Sequence, residues 1–328
     1  MKKNIAIVWG GYSSEKEVSE KSAAGIYSFM DKEKYEVYKV KIDKECWSAE
    51  YRNNAYPIDK NDFSFTADGR KITFDFAYIT IHGTPGEDGT LQGYFDMLSI
   101  PYSNSGVLAS ALTFNKFICN HFLKSFGIKV AESILLKENS SFNPNEIVSR
   151  LGLPVFVKPN AGGSSFATTK VKETSQLEKA VSDAFCESSE VIIERFVSGT
   201  EVTCGCYKTR QGIQVLPLTE VVTHNEFFDY AAKYKGQVEE ITPARISDEM
   251  TKKIGEETLL IYDLVGAKGI IRADYIISNQ TPVLLEVNTT PGMTATSFIP
   301  QQVAAANLSL TDILSEIIEF EFSKTNSL

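Results

Sequence analysis

The sequence predicts a mixed fold, an open α/β domain at the N-terminus followed by an α+β region built around an antiparallel hairpin near the C-terminus. Three observations carry this reading. Short, continuously apolar runs at 4–9, 35–42 and 72–81, with a helical pattern between the first two, describe a small α/β domain. The runs 270–277 and 283–288 are rich in β-branched and apolar residues, and the polar cluster Ser278-Asn-Gln-Thr-Pro282 separates them as a hairpin turn would. A chain of 328 residues has room for two or three packed domains.

The formal net charge of −9 argues against a general nucleic-acid binder, which needs a basic surface to displace counterions. The five cysteines are odd in number and irregularly spaced. Cys204 and Cys206, the only close pair, fit small buried hydrophobes in a reducing compartment, and no matching Cys or His pair completes a zinc site. The apolar run after Met1-Lys-Lys is too short for a signal peptide, and no apolar segment is long enough to span a bilayer. The expectation is a cytoplasmic protein without nucleic-acid or membrane partners.

In chain order, Asn4-Ile-Ala-Ile-Val-Trp9 leads into Gly10-Gly-Tyr-Ser-Ser14 and a helix with Val18, Ser22, Ile26 and Phe29 on one stripe. Ser14 and Glu17 have capping-box spacing. Glu15 then falls in the first turn, where the helix dipole alone justifies a carboxylate; its alternative task is to receive a substrate ammonium at the ligand edge of the sheet. The run Phe74–Ile81 enters the glycine-rich loop His82-Gly-Thr-Pro-Gly-Glu-Asp-Gly-Thr-Leu-Gln-Gly93, which carries one of three histidines. Residues 100–106 read as a connector, and Leu108 to Phe126 as one helix bearing Lys116. Leu153-Pro-Val-Phe-Val-Lys158 is a strand ending in a lysine, followed by a turn with Gly163-Ser164-Ser165. It lacks P-loop spacing, yet backbone N–H groups and a lysine can cradle phosphate in the same way. Val191–Val197 is another apolar strand ending in charge, where backbone groups could read an adenine edge. The segment 224–243 is aromatic and charged without a clear period, as lids often are. It lies between a strand-like 215–222 and a helix starting at Asp248. The tail from Leu308 to Phe322 is amphipathic, most simply a surface helix.

The hairpin concentrates the chemistry. Strand side chains alternate faces, so Arg272 and Asp274 project together, as do Glu286 and Asn288. A hairpin symmetric about Gln280 sets Asp274 opposite Glu286 and Arg272 opposite Asn288, and facing carboxylates repel. A lone strand carboxylate is usually just solvated, but Leu284-Leu-Glu-Val287 is nearly continuously apolar, where an unpaired charge is costly. Carboxylates and an amide oxygen are hard ligands suited to Mg²⁺ that bridges substrate phosphates. Arg272 can hold developing negative charge beside it, and Thr290-Pro-Gly292 can bring a backbone N–H to a ligand.

Taken together, Gly10–Ser19, His82–Gly93, Lys158-Pro with Gly163-Ser-Ser165, Asp229-Tyr-Ala-Ala-Lys-Tyr234 and Leu285-Glu-Val-Asn-Thr-Thr-Pro-Gly-Met293 resemble, in order, the D-alanine:D-alanine ligases of the ATP-grasp superfamily. The resemblance implies an N-terminal α/β substrate domain (1–104) and an ATP-grasp pair (105–198 and 199–328) that clamps ATP between antiparallel sheets, with 224–243 as lid. It implies that Asp274, Glu286 and Asn288 hold two Mg²⁺ ions, with Mn²⁺ as a substitute, and that Lys116, Lys158 and Lys233, with the Ser164-Ser165 turn, contact ATP phosphates. Glu194, Arg195, Val197 and Glu201 would line the adenosine pocket, partly through backbone atoms. Glu15 would take the ammonium of the first D-alanine, with His82 near its carboxylate. Ser297 and Phe298 would hold the second carboxylate, and Arg272 with the Gly292 N–H the tetrahedral oxyanion. Tyr234 sits where dipeptide-forming ligases have a tyrosine linked to Ser164 and Glu15, and no histidine follows it before Pro243, where depsipeptide-forming ligases place one. A homodimer is also implied. The rivals are a D-alanine:D-lactate or D-alanine:D-serine ligase, and a nucleotide-binding regulator without turnover. Ala167 departs from the family's Gly-Ser-Ser-x-Gly pattern, and alanine resists positive φ.

Overall fold

A computed structural model of the protein describes residues 2–163, 166–223 and 238–325. The first sheet is formed by β1 (Lys3–Gly10), β2 (Tyr35–Ile42), β3 (Trp47–Tyr51) and β4 (Asn54–Pro57), joined on the far side of β1 by β7 (Phe76–Ile79). β1 pairs in parallel with β2 and β7, and the crossover from β1 to β2 is α1 (Lys16–Phe29). This is the doubly wound pattern that short, fully apolar strands demand, because both faces must be covered. A small hairpin of β5 (Phe65–Ala67) and β6 (Arg70–Ile72) lies before β7. After β7 come α2 (Thr90–Met97), α3 (Val107–Phe114) and α4 (Lys116–Lys124).

The single helix expected over 108–126 is therefore two. Asn115 leaves the helical region (φ −86°, ψ 95°) and its side chain accepts from the Ile118 N–H, capping α4. The break frees the first amides of α4 for another partner: Lys116 N–H donates to the Asn160 carbonyl and Phe117 N–H to Asn160 Oδ1.

A second, antiparallel sheet runs in the order β10-β9-β11-β8, comprising β8 (Ser133–Lys137), β9 (Val155–Pro159), β10 (Thr169–Val171) and β11 (Glu190–Arg195). α5 (Pro144–Leu151) and α6 (Leu177–Phe185) cover one of its faces through Ile147, Leu151, Leu177 and Val181. The third sheet contains β12 (Thr200–Thr209), β13 (Gly212–Val215), β14 (Thr219–Thr223), β15 (Val238–Ile241), β16 (Ile270–Ser278) and β17 (Thr281–Asn288), with β12 paired to β13, β14 and β16. α7 (Asp248–Val265) and α4 pack on it through Ile254, Ile261, Tyr262 and Leu123. Residues 238–241, placed in the irregular segment by sequence, form β15, antiparallel to β14.

The last elements are α8 (Phe298–Ala305) and α9 (Leu310–Thr325). The tail is more than a surface helix. Ile313, Leu314, Ile317 and Ile318 of α9 share a core with Ile5 and Ile7 of β1 and Ile26 of α1, tying the C-terminal end to the first sheet.

The hairpin register is Arg272 opposite Asn288 and Asp274 opposite Glu286, as expected from symmetry about Gln280, but by a different route. The turn is only Asn279-Gln280, both at positive φ (48° and 62°), with Ser278 paired to Thr281. That pattern continues to Tyr275 opposite Leu284, and would set Asp274 against Leu285. A bulge at Leu285 adds the missing residue. Two-residue hairpin turns with positive φ at both positions favour glycine second. Gln280→Gly should therefore stabilise the fold by about 1 kcal/mol, read as a raised urea midpoint at unchanged m-value. A lower midpoint would show that the Gln280 side chain has a compensating contact.

Candidate active site

Two adjoining cavities lie where the three sheets meet. The larger, of about 960 Å³, is walled by Phe156, Lys158 and Glu194 through Glu201 on one side and by Thr203, Val222, Arg272, Asp274 and Glu286 on the other. The smaller, of about 420 Å³, joins Glu15, His82 and Glu87 to Asn288, Gly292, Ser297 and Phe298. Glu15, Lys116, Gly163, Arg272 and Glu286 border both, so the two form one bent site.

The floor consists of cation–carboxylate pairs. Arg272 Nε and Nη2 donate to Asp274 Oδ1 and Oδ2 at 2.8 and 2.7 Å, and Thr203 Oγ1 donates to Oδ1 at 2.5 Å. Lys116 Nζ lies 3.3 Å from Glu286 and donates to the Gly162 carbonyl at 2.5 Å. Lys158 pairs with buried Glu194 at 2.6 Å. Burial disfavours the charge on Arg272 and Lys158, but the adjacent carboxylates outweigh it and hold both above their ordinary values. Arg272 and Lys158 therefore stay charged at the point where two sheets face each other.

Glu15 is the residue just before α1, and its backbone takes the N-cap place expected of Ser14. The Ser14–Glu17 capping box does not form; Ser13 Oγ instead accepts from the Glu15 N–H and donates to the His82 carbonyl, joining two sheet-end loops. The Glu15 carboxylate is 5% exposed and reaches the phosphate-type turn so closely that a Cβ on Gly163 would sit 2.8 Å from either oxygen. A side chain at that position would have to displace the Glu15 carboxylate. His82 is buried, with Nε2 3.2 Å from Ser22 Oγ, and burial pushes its pKa down, so the ring is neutral near pH 7. Ser297 immediately precedes α8; its Oγ accepts from the Thr294 N–H at 3.1 Å and lies 3.0 Å from where a Gly292 Cβ would be. α8 thus begins at the smaller cavity, which Ser297, Phe298 and Gly292 line.

Among the described residues no group of three or more His, Cys, Asp or Glu could hold a metal ion. The donor set on the hairpin is two carboxylates and the Asn288 amide, which fits a Mg²⁺ ion that takes its remaining ligands from phosphate and water. Val197 and Glu201 line the larger cavity. The Arg195 guanidinium does not serve it, being bound to the Leu151 and Arg150 carbonyls and to Glu132, so only backbone at this position remains for a ligand. Ser164, Ser165, Lys233 and Tyr234, and 224–237 of the expected lid, lie outside the described residues. Ala167 does adopt the doubtful conformation, with φ of 50°.

Comparison with known proteins supplies the family. The D-ala D-ala ligase N-terminus profile matches residues 4–105 and the D-ala D-ala ligase C-terminus profile residues 122–319. The chain belongs to the D-alanine–D-alanine ligase family. A D-alanine–D-alanine ligase of Parabacteroides distasonis is 62% identical over 98% of each chain. Among solved structures, the D-Ala:D-Ser ligase of Enterococcus faecalis is 31% identical over 98% of this chain and 100% of its own, with a TM-score of 0.85. The D-alanine–D-alanine ligase of Bacillus anthracis complexed with ATP is 28% identical over 99% of both chains, with a TM-score of 0.79. The architecture is accordingly the ATP-grasp fold preceded by an open α/β domain.

In this ligase-family chain, sequence reasoning passed over Glu87. It sits in the loop that was singled out for His82, is buried, and accepts the Gly83 N–H at 2.7 Å. Burial, reinforced by Glu15, pushes its pKa up to about 8. The only available signal was a carboxylate between glycines in a specialised loop. A carboxyl whose folded pKa is raised binds more protons when folded than when unfolded, so its contribution is complete below the ordinary value near 4.5 and is lost as pH rises through about 8. Glu87→Gln should flatten the fall in stability between pH 5 and 8, measured by urea denaturation at fixed salt. An unchanged slope would remove Glu87 as its source.

Proposed function

We propose that this protein joins two D-alanine molecules with ATP, through D-alanyl phosphate, to supply a dipeptide for wall-precursor synthesis. The observation that carries the reading is the bent site itself. A nucleotide-sized cavity with paired lysines shares Arg272 and Glu286 with a smaller cavity lined by the buried Glu15 carboxylate and by Ser297 and Phe298 at the start of α8. One group suits the ammonium of a first amino acid, the other the carboxylate of a second.

The first D-alanine binds with its ammonium at Glu15, and neutral His82 stands beside its carboxylate. That carboxylate attacks the γ-phosphate of ATP, ADP leaves, and a mixed anhydride remains. Lys116 and Lys158, with Lys233, Ser164 and Ser165, hold the phosphates. Asp274, Glu286 and Asn288 would hold Mg²⁺, or Mn²⁺ in its place, which offsets phosphate charge during transfer. The second D-alanine lies with its carboxylate at Ser297 and the Phe298 N–H. Its amine attacks the anhydride carbonyl, Arg272 and the Gly292 N–H hold the oxyanion, and inorganic phosphate departs as the amide forms. Glu194, Val197, Glu201 and the backbone of Arg195 enclose the adenosine. The division at 1–104, 105–198 and 199–328, with 224–243 as lid, belongs to the same proposal and is supported by the separate sheets. So do a cytoplasmic location, where ATP is available, and a homodimer, for which exposed Met97 and Leu108 (80% and 78%) offer apolar surface. No described helix is long and apolar enough to cross a membrane.

Phosphate release should require ATP and D-alanine together and be absent with L-alanine; release independent of amino acid would mark an ATPase, and no release under any condition would favour a nucleotide-binding role without turnover. Product analysis from equimolar D-alanine, D-serine and D-lactate should give mainly D-alanyl-D-alanine at neutral pH, and Tyr234→Phe should raise the depsipeptide share. Mainly depsipeptide from the unaltered protein would reassign the second subsite. Arg272→Ala should lower kcat by about a hundredfold or more, the scale of a lost oxyanion donor. A defect confined to ATP affinity would move Arg272 to another role.

A further inference from the structure

Leu285 is the residue that the hairpin register skips: Tyr275 pairs with Leu284 and Asp274 with Glu286. In a regular ladder without the bulge Asp274 would pair with Leu285, and Glu286 would be turned to the opposite side of the sheet, because strand side chains alternate. The bulge therefore decides whether a carboxylate or a leucine faces Asp274.

The bulge is held from outside the hairpin. Asn120, a buried side chain of α4 at 2% exposure, donates from Nδ2 to the Leu285 carbonyl at 3.2 Å. The neighbouring Leu284 N–H donates to the Lys129 carbonyl at 2.8 Å, just beyond the same helix. Lys116, four residues before Asn120 and so on the same face of α4, lies 3.3 Å from Glu286. One helix thus touches the metal-facing carboxylate directly and, one turn later, the carbonyl that precedes it. Among the described residues Asn120 Oδ1 has no hydrogen-bond partner. A buried amide satisfied on one side is a poor device for stability alone, since the unpaired oxygen is penalised.

We propose that Asn120 is a positioning residue for the divalent-cation site, holding the Leu285 bulge so that Glu286 stands opposite Asp274. The inference rests on the reading of Asp274, Glu286 and Asn288 as metal ligands. Asn120 touches neither substrate nor metal and acts through the strand. Its loss lets the bulge relax along β17, which weakens metal binding while the hydrophobic packing around α4 persists.

The test is Mg²⁺ titration by calorimetry in the presence of a saturating non-hydrolysable ATP analogue, alongside thermal unfolding without ligand. Asn120→Leu keeps the volume, removes the donor and removes the unpaired oxygen. It should raise the Mg²⁺ Kd by about tenfold or more, the scale for losing a group that orients a ligand, with an unchanged or higher Tm. Turnover should recover at high Mg²⁺. Glu286→Gln, measured in parallel, should also weaken Mg²⁺ binding. Wild-type Mg²⁺ affinity in Asn120→Leu beside a weakened Glu286→Gln overturns the role of Asn120 and leaves the metal site standing. Wild-type affinity in both overturns the metal assignment and this inference with it. A lower Tm with unchanged Mg²⁺ affinity marks Asn120 as merely structural. Should Asn120→Leu not fold, Asn120→Asp, of equal size but without the N–H donor, decides on the same scale.

Discussion

Two carboxylates facing each other across adjacent strands are unfavourable unless positive charge lies between or beside them, and the centre of this molecule is arranged around that constraint. Asp274 is held by Arg272 in a two-point pair, and Glu286 by Lys116. A third carboxylate, Glu194 of β11, is met by Lys158 from the adjacent strand β9. Charges this buried need partners, and the partners come from different elements: β16 itself, the start of α4, and the end of β9. Phosphate oxygens and a divalent ion offer these groups the same pairing in exchanged form. The lysines would pass to the phosphates and the carboxylates to the metal. Neutrality would be kept through binding.

The same constraint explains why loops of the first sheet are drawn against the other two. Glu15 is brought into the site because Gly10 and Gly11 turn the chain at positive φ directly after β1, and because Gly163 leaves room for the carboxylate. Ser13, bridging to the His82 carbonyl, ties the two sheet-end loops into one wall. Asn104 extends the wall to the end of the β16–β17 hairpin, donating to the Thr289 carbonyl and to Thr290 Oγ1 just before Gly292. Gln302 of α8 links the Thr203 carbonyl and the Gly205 N–H, steadying β12 behind the Asp274 pair. These amides are buried connectors between elements far apart in sequence. Each joins its own segment to a distant one, Asn104 to Thr289 and Thr290, and Gln302 to β12.

Legibility in the sequence follows the range of the interaction. The apolar runs of β1 and β2, the start of α7 after Ser247, and the hairpin strands depend on local pattern and capping, and they lie where the pattern puts them. The elements misread are those decided at long range. Leu108 to Phe126 has a continuous helical pattern, yet Asn160, over forty residues away, captures the amides at the break. Ser14 has capping-box spacing, but the geometry of the loop gives the N-cap place to Glu15. The amphipathic stripe of the tail was visible, while its burial against β1 depends on a sheet some three hundred residues earlier.

The sequence by itself determined the strand and helix inventory around the site, the chemistry of the hairpin and the family resemblance, because alternation, turn residues and ordered motifs are properties of neighbouring residues. The pairing of Asp274 with Glu286 was also readable, although the symmetry argument reached it through a longer turn than the one present. Only the tertiary structure decided that a two-residue turn plus a bulge at Leu285 produces that pairing, that the Arg195 side chain is spent on α5, and that Glu87 is a buried carboxylate with a raised pKa. Those outcomes depend on desolvation and on hydrogen bonds between distant segments, and neither leaves a local pattern in the chain.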